Sequence, residues 1–305
     1  MKTNNYNIDN YRVIGNKFYR ERNVERALEF YNKAYYSIIG KQDVELLLDM
    51  AIMYDDMDEL SLAEEKYQEV ILIDKDDARA YYGLATICDA KEENEKAAKL
   101  YEKAIELNPE YNRAYFFLAN VYEALGKVEK SIEAYKKVIE LDPEDFWAYT
   151  NLSCIYEEKG ENEIARGLLE ESLRIDENQY LALFNMGVVL GKLHREEEAI
   201  TYYKRSIQEN INYPYSYLNL AVIYKERGFY DIALKIITGG ILNNSDAGFL
   251  YYNRACYYVH EEKAQEALKD LETAIKLFPD FTKYIVDDEE LDPLRNLPGF
   301  KELVK

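Results

Sequence analysis

Four asparagines recur at an interval of 34 residues: Asn151, Asn185, Asn219 and Asn253. An asparagine side chain offers a donor and an acceptor together, which is what an extended polypeptide backbone needs whatever its sequence. Four places ahead of each stands a large apolar residue, in turn Trp147, Leu181, Tyr215 and Phe249. Immediately ahead of the last three stand Phe184, Leu218 and Tyr252. If exposed, such a row marks an interaction site, with apolar anchors beside backbone hydrogen bonds. Packing of the same residues against the preceding structural unit is the competing reading.

Covalent chemistry has less to work with. The two histidines, His194 and His260, stand in no triad-like order with Ser or Cys. Cys88, Cys154 and Cys256 lie far apart, with no CxxC pair and no zinc spacing. "GVVLGK" lacks the GxxxxGK[ST] form that cradles phosphate. The acidic runs "DDMDE" and "HREEE" read as solvated turns, and the first lacks the ligand pattern of a calcium loop. The expectation is no catalytic residue, no metal ligand and no cofactor.

The elements that must position the asparagines are written in the same period. "KLYEKAIELNPE" (Lys99–Glu110) returns as "EAYKKVIELDPE" (Glu133–Glu144). With Pro109 at position 32 of a 34-residue frame, Pro143 and Pro279 fall at the same position. Frames then open at residues 44, 78, 112, 146, 180, 214 and 248, and an eighth opens at residue 8 with two extra residues before the next. Position 8 reads Gly15, Ala51, Ala85, Ala119, Ser153, Gly187, Ala221 and Ala255. Position 20 reads Ala27, Ala63, Ala97, Ser131, Ala165, Ala199, Ala233 and Ala267. Positions 4 and 24 are large throughout, and eleven of the 30 tyrosines stand there. Positions 4, 7, 8 and 11 share one helix face, as do 20, 24 and 27. Small residues at 8 and 20 let two antiparallel helices approach closely. Gly126, Gly160 and Gly228 at position 15 end the first helix in a left-handed conformation, and Pro at 32 ends the second.

This pattern resembles the tetratricopeptide repeat family, whose period is 34 residues. The resemblance runs over about residues 8–281. It implies an all-α fold: an α-solenoid of eight helix-turn-helix repeats winding into a right-handed superhelix, with the first helix of each repeat lining the concave wall. Positions 2, 5, 6, 9, 12 and 13 then face the groove. The asparagines at position 6 are similar to the ladder that holds extended peptides in the repeat domain of O-GlcNAc transferases, although Asn is also the family's commonest residue there. The family's carboxylate clamp is not expected. Arg12 and Asn16 fit its first part, but Asp49 stands where Asn should be and would repel an acidic ligand. Arg254 takes a position held elsewhere by Leu, Met or Ile, and Asp270 on the facing helix should lie within hydrogen-bonding distance of it. "TGGIL" places Gly239 and Gly240 inside a second helix, which predicts a looser seventh repeat. Residues 282–305 break the period and are expected to cap the last repeat.

Composition bounds the partners. The formal net charge is −20, a field that repels phosphate backbones and anionic membranes. A neutral or basic protein or peptide is easier to accommodate. The N-terminus has no apolar signal-like stretch, no run suggests a membrane span, and the odd, scattered cysteines suit a reduced, cytoplasmic setting. The resemblance therefore implies a non-catalytic interaction scaffold, binding an extended or helical segment in its groove at repeats five to eight. The alternative is a homo-oligomer formed through the apolar stripe or the terminal cap.

Overall fold

The structure, a computed structural model, describes residues 2–37 and 40–304, with side chains from residue 8 onward. All regular structure among these residues is helical. In chain order the helix pairs are α1 (Lys2–Arg20) and α2 (Val24–Tyr35), α3 (Val44–Asp56) and α4 (Leu60–Ile73), α5 (Ala78–Ala90) and α6 (Asn94–Leu107), and α7 (Asn112–Ala124) and α8 (Val128–Leu141). There follow α9 (Phe146–Glu158) and α10 (Asn162–Ile175), α11 (Tyr180–Lys192) and α12 (Glu196–Glu209), α13 (Pro214–Glu226) and α14 (Tyr230–Asn243), and α15 (Gly248–His260) and α16 (Ala264–Leu277). From α3 onward every first helix opens at position 1 of its frame. Helix α1 differs: it starts at Lys2, ahead of residue 8.

The chain divides into two compact units, residues 1–148 and 149–305. Within each, a second helix packs on the first helix of the next pair, as α4 does on α5 and α14 on α15. All sixteen small residues at positions 8 and 20 are buried. Their size is required by their neighbours: a Cβ on Gly15 would lie 2.6 Å from the ring of Tyr31, and one on Gly187 2.6 Å from that of Tyr203. Fully buried Leu169, Ile237 and Leu271 at position 24 each contribute about 1.5–3 kcal/mol through burial.

The turns repeat as faithfully as the core. Position 15 has a positive φ in every repeat, from 57° at Glu262 to 76° at Gly160 and Gly228. Only three of these residues are glycines. After the second helix, the side chains of Asp74, Asn108, Asp142, Asp176 and Asn210 each accept a bond from the backbone N–H two residues on. This Asx turn closes the inter-repeat loop.

Beyond α16 run α17 (Phe281–Asp287), a 3₁₀ segment (Glu289–Leu294) and α18 (Pro298–Leu303). Ile285, Leu291, Leu294 and Phe300 are buried in one cluster with Ala255, Tyr257 and Leu271. Lys225 donates to Glu290, and the Tyr252 hydroxyl donates to Asp288, so polar contacts also fix this segment on the last two repeats.

Candidate functional site

The second unit carries most of the row picked out in the sequence. Tyr215 is 48% exposed and stacks on Phe249, with ring centroids 5.0 Å apart and planes 15° from parallel. Tyr213 joins this pair to Phe184, 5.1 Å away, and Phe184 reaches in to Tyr203 at 5.8 Å. Leu181 and Phe249 are half-buried. Tyr252 turns toward the C-terminal segment: its ring stacks on Phe281 at 5.6 Å and its hydroxyl is held by Asp288. Trp147 belongs to the first unit, is 41% exposed, and lines a hollow of about 210 Å³ with Arg113, Phe116 and Phe117.

The asparagines are partly engaged within the chain. Asn185 donates to the Cys154 sulfur at 3.2 Å, Asn219 to the Tyr203 hydroxyl at 3.3 Å, and Asn253 to the Phe249 carbonyl at 2.8 Å. Asn151 is half-buried on α9 and engaged as well. Each of these three bonds uses one amide hydrogen, which leaves the side-chain carbonyl and the second hydrogen for other partners.

A larger cavity, about 800 Å³, lies in the first unit among repeats two to four. Its walls come from the groove positions of α3, α5 and α7. Position 2 supplies Glu45, Arg79 and Arg113. Positions 12 and 13 supply Asp55, Asp56 and Asp89. Tyr67, Tyr82, Tyr101 and Phe117 give it aromatic surface. Sequence reasoning named these positions but placed the site in later repeats. The available signal was Gly83, at the position of the asparagines: a Cβ there would fall 2.1 Å from the Tyr67 ring, so glycine is what admits that ring.

The charges in this cavity differ in how well they are matched. Arg79 is held by Asp77 at 2.6 Å and Glu45 at 2.8 Å. Asp49 accepts from Asn16 at 2.9 Å and lies 3.3 Å from Arg12. Burial nonetheless raises its carboxyl above the usual range, against the pull of those two partners. Arg12 and Asn16, the residues a carboxylate clamp would use, are thus committed to a carboxylate of this chain. Asp55 and Asp89 are raised too, by burial and in Asp55 also by Asp58, and neither has a basic partner among the described residues.

Elsewhere, Arg254 meets Asp270 as expected, with Nε 2.6 Å from Oδ2 and a second nitrogen 2.8 Å from Oδ1. His194 is an exposed turn residue with φ 59°. His260 stacks on Tyr230 at 4.4 Å, with Nε2 3.7 Å from Glu290. Among the described residues no group of three or more His, Cys, Asp or Glu side chains is arranged to hold a metal ion, and no helix is long and apolar enough to cross a membrane.

Stacked helix pairs with small residues at the crossings define a helical-repeat protein, and the comparisons specify which. Three family models described as tetratricopeptide repeat match residues 48–105 and 89–146, residues 134–167, and residues 180–210 and 250–281. Together they span more than half of the sequence, and the chain belongs to the tetratricopeptide repeat family. No curated protein matches it. A tetratricopeptide repeat protein from Parabacteroides merdae shares 18% identity over 86% of this chain and 97% of its own, with a TM-score of 0.62. The Cut9–Hcn1 structure of the APC/C aligns at 16% identity over 92% of this chain and 52% of its own, with a TM-score of 0.61. MamA from Desulfovibrio magneticus RS-1 aligns at 22% identity over 57% of this chain and 97% of its own, with a TM-score of 0.51. These likenesses describe the fold.

Proposed function

We propose that this protein is a non-catalytic interaction scaffold that holds an extended or helical segment of another protein on the first-helix face of repeats five to eight. The observation that carries this reading is the Tyr215–Phe249 stack. A tyrosine nearly half exposed, ring on ring with its neighbour from the next repeat, is a rigid apolar anchor of the kind that dominates binding energy. Asn185 and Asn219 retain bonding capacity beside it. Leu181, Phe184 and Phe249 extend the apolar surface, with Asn151, Tyr252 and Asn253 at its margins. Trp147 offers a further anchor in the first unit. The acidic balance of the chain favours a neutral or basic partner.

The test is recovery of binding partners by wild type against a Tyr215→Ala, Phe249→Ala double variant and a Trp147→Ala variant, with thermal melts confirming that each folds. Partner recovery unchanged in all of them discards the reading. Homo-oligomerisation is the second reading, and the exposed Tyr215 ring is what favours it. Light scattering decides it: a monomer at high concentration removes it, whereas a dimer lost in Tyr215→Ala would replace the first reading.

A further inference from the structure

The cavity of repeats two to four contains two features that local physics disfavours. The first is acid at helix C-termini. Asp55 and Asp56 lie in the last turn of α3, and Asp89 in the last turn of α5, with no basic residue in either turn. The helix dipole places its negative end there, so carboxylates are repelled. Asp55 and Asp89 are also raised by burial. The second feature is Tyr101, fully buried, lining the cavity, with a hydroxyl that finds no partner among the described residues.

The other repeats show what Tyr101 lacks. At the equivalent position, Tyr31 and Tyr135 donate to Asn16 and Asn120 of their own repeats, and Tyr203 accepts from Asn219 of the next. For Tyr101 the corresponding residues are Thr86 and Phe117. Thr86 donates instead to the Gly83 carbonyl, and Phe117 has nothing to offer. The hydroxyl lies in the field of Asp89 and Asp55, two carboxylates without a basic partner among the described residues. A buried donor and two desolvated acids therefore converge on one end of a roomy cavity.

We infer that this cavity receives a lysine or arginine side chain carried on a partner polypeptide, its cationic head beside Asp55 and Asp89 and its methylene stem along the ring of Tyr82. The inference rests on the scaffold reading and adds a second, charge-selective point of contact. An incoming cation supplies the charge that the acids lack. The Tyr82 ring has the guanidinium of Arg113 5.8 Å from its centroid. Arg79 and Arg113 stand at the N-terminal ends of α5 and α7, and along α5 Arg79 is ten residues, about 15 Å, from Asp89. Arg79 is neutralised by Asp77 and Glu45 as well. At about 800 Å³ the cavity exceeds one side chain and has room for flanking backbone, which points to a polypeptide rather than a free amine.

The experiment uses ¹⁵N-labelled full chain and blocked pentapeptides, Ala-Ala-X-Ala-Ala, where X is Lys, Arg, acetyl-lysine or Glu. Saturable NMR shifts are expected with Lys and Arg, centred on α3, α5 and α7, and at least tenfold weaker binding with acetyl-lysine or Glu. Asp55→Asn and Asp89→Asn should each weaken Lys binding at least tenfold. Asp89→Asn is near-isosteric and relieves a repelled charge, so its loss of binding is not loss of fold, which its melting curve checks. His194→Asn, at an exposed turn outside both sites, should bind the Lys peptide as wild type does. No saturation with Lys or Arg peptides up to millimolar concentration, or equal binding of acetyl-lysine, overturns the inference. Butylammonium binding as tightly as the Lys peptide overturns the polypeptide source in favour of a small amine. If the peptides fail while partner capture still depends on Tyr215, only this inference falls; if capture by wild type fails, the scaffold reading falls on its own test.

Discussion

Arg254 of α15 grips Asp270 of α16 along both edges of the carboxylate, at 2.6 and 2.8 Å, and reaches Thr238 of the preceding repeat at 3.2 Å. Asp270 is 4% exposed. Seven other repeats fill the same position with an aliphatic side chain or methionine, so the pair is a polar replacement of a core contact. Its chemistry is strongest when complete and costly when halved. Asp270→Ala should destabilise the second unit by about 3 kcal/mol, because it leaves a partly buried guanidinium unmatched. The Arg254→Leu, Asp270→Leu pair should lie within about 1.5 kcal/mol of wild type, as a swap of a satisfied ion pair for apolar packing. Urea unfolding of Arg254→Leu, Asp270→Leu and the double variant closes the cycle. A single-variant loss no larger than the double-variant loss would contradict the account.

The left-handed turn gives a prediction of sign. Glu92 holds φ 58° and Gly126 holds φ 67° at equivalent places. A side chain costs about 1–2 kcal/mol in this region, offset in part by the larger entropy glycine loses on folding. Glu92→Gly should therefore stabilise by about 0.5–1 kcal/mol, and Gly126→Ala should destabilise by about 1 kcal/mol. Paired thermal melts test this, and equal signs would exclude it.

Two neighbouring glycines should respond in opposite directions. A Cβ on Gly239 meets only the edge of Tyr217 at 3.7 Å, which is ordinary contact, whereas one on Gly240 would fall 2.8 Å from Tyr217 Cβ and 3.2 Å from Leu250. Gly239→Ala should raise stability by up to about 1 kcal/mol through helix propensity alone. Gly240→Ala should lower it by about 1–3 kcal/mol through overpacking at the α13–α14 crossing. Chemical denaturation of the two variants separates the effects.

The fold was legible in the sequence because the helix crossings demand small residues, and small residues at fixed spacing survive every change around them. Gly15, Ala85 and Ser153 differ in type but leave the same gap. The turns were half legible: glycine announced them at Gly126, Gly160 and Gly228, while Arg22, Asp58, Glu92, His194 and Glu262 adopt the same φ without a sequence sign. For the site, the groove positions could be read but not the repeats that would use them. The asparagines are legible because they are present, and three of them donate within the chain. The cavity depends on what is missing: a side chain at Gly83, which admits Tyr67, and an asparagine partner for Tyr101.

Asp89 supplies a pH prediction that separates binding from stability. Burial raises its carboxyl above the ordinary value of 3.8, so the folded chain holds the proton more tightly than the unfolded chain does. A group raised on folding contributes stability when both states are protonated, below the unfolded value, and loses it as pH rises through the folded value. At neutral pH the ionised Asp89 is therefore a net cost, and Asp89→Asn, which keeps the shape without the charge, should raise the melting temperature there. The gain should shrink as pH falls through the raised value and vanish near and below the unfolded one. Melting curves of wild type and Asp89→Asn across the acid range measure the difference directly. A gain independent of pH would assign the effect to packing rather than charge. A loss at neutral pH would mean that the carboxylate is needed by the fold itself. A gain at neutral pH, together with weakened binding of the lysine peptide, would mark Asp89 as a residue kept for its ligand at the expense of its helix.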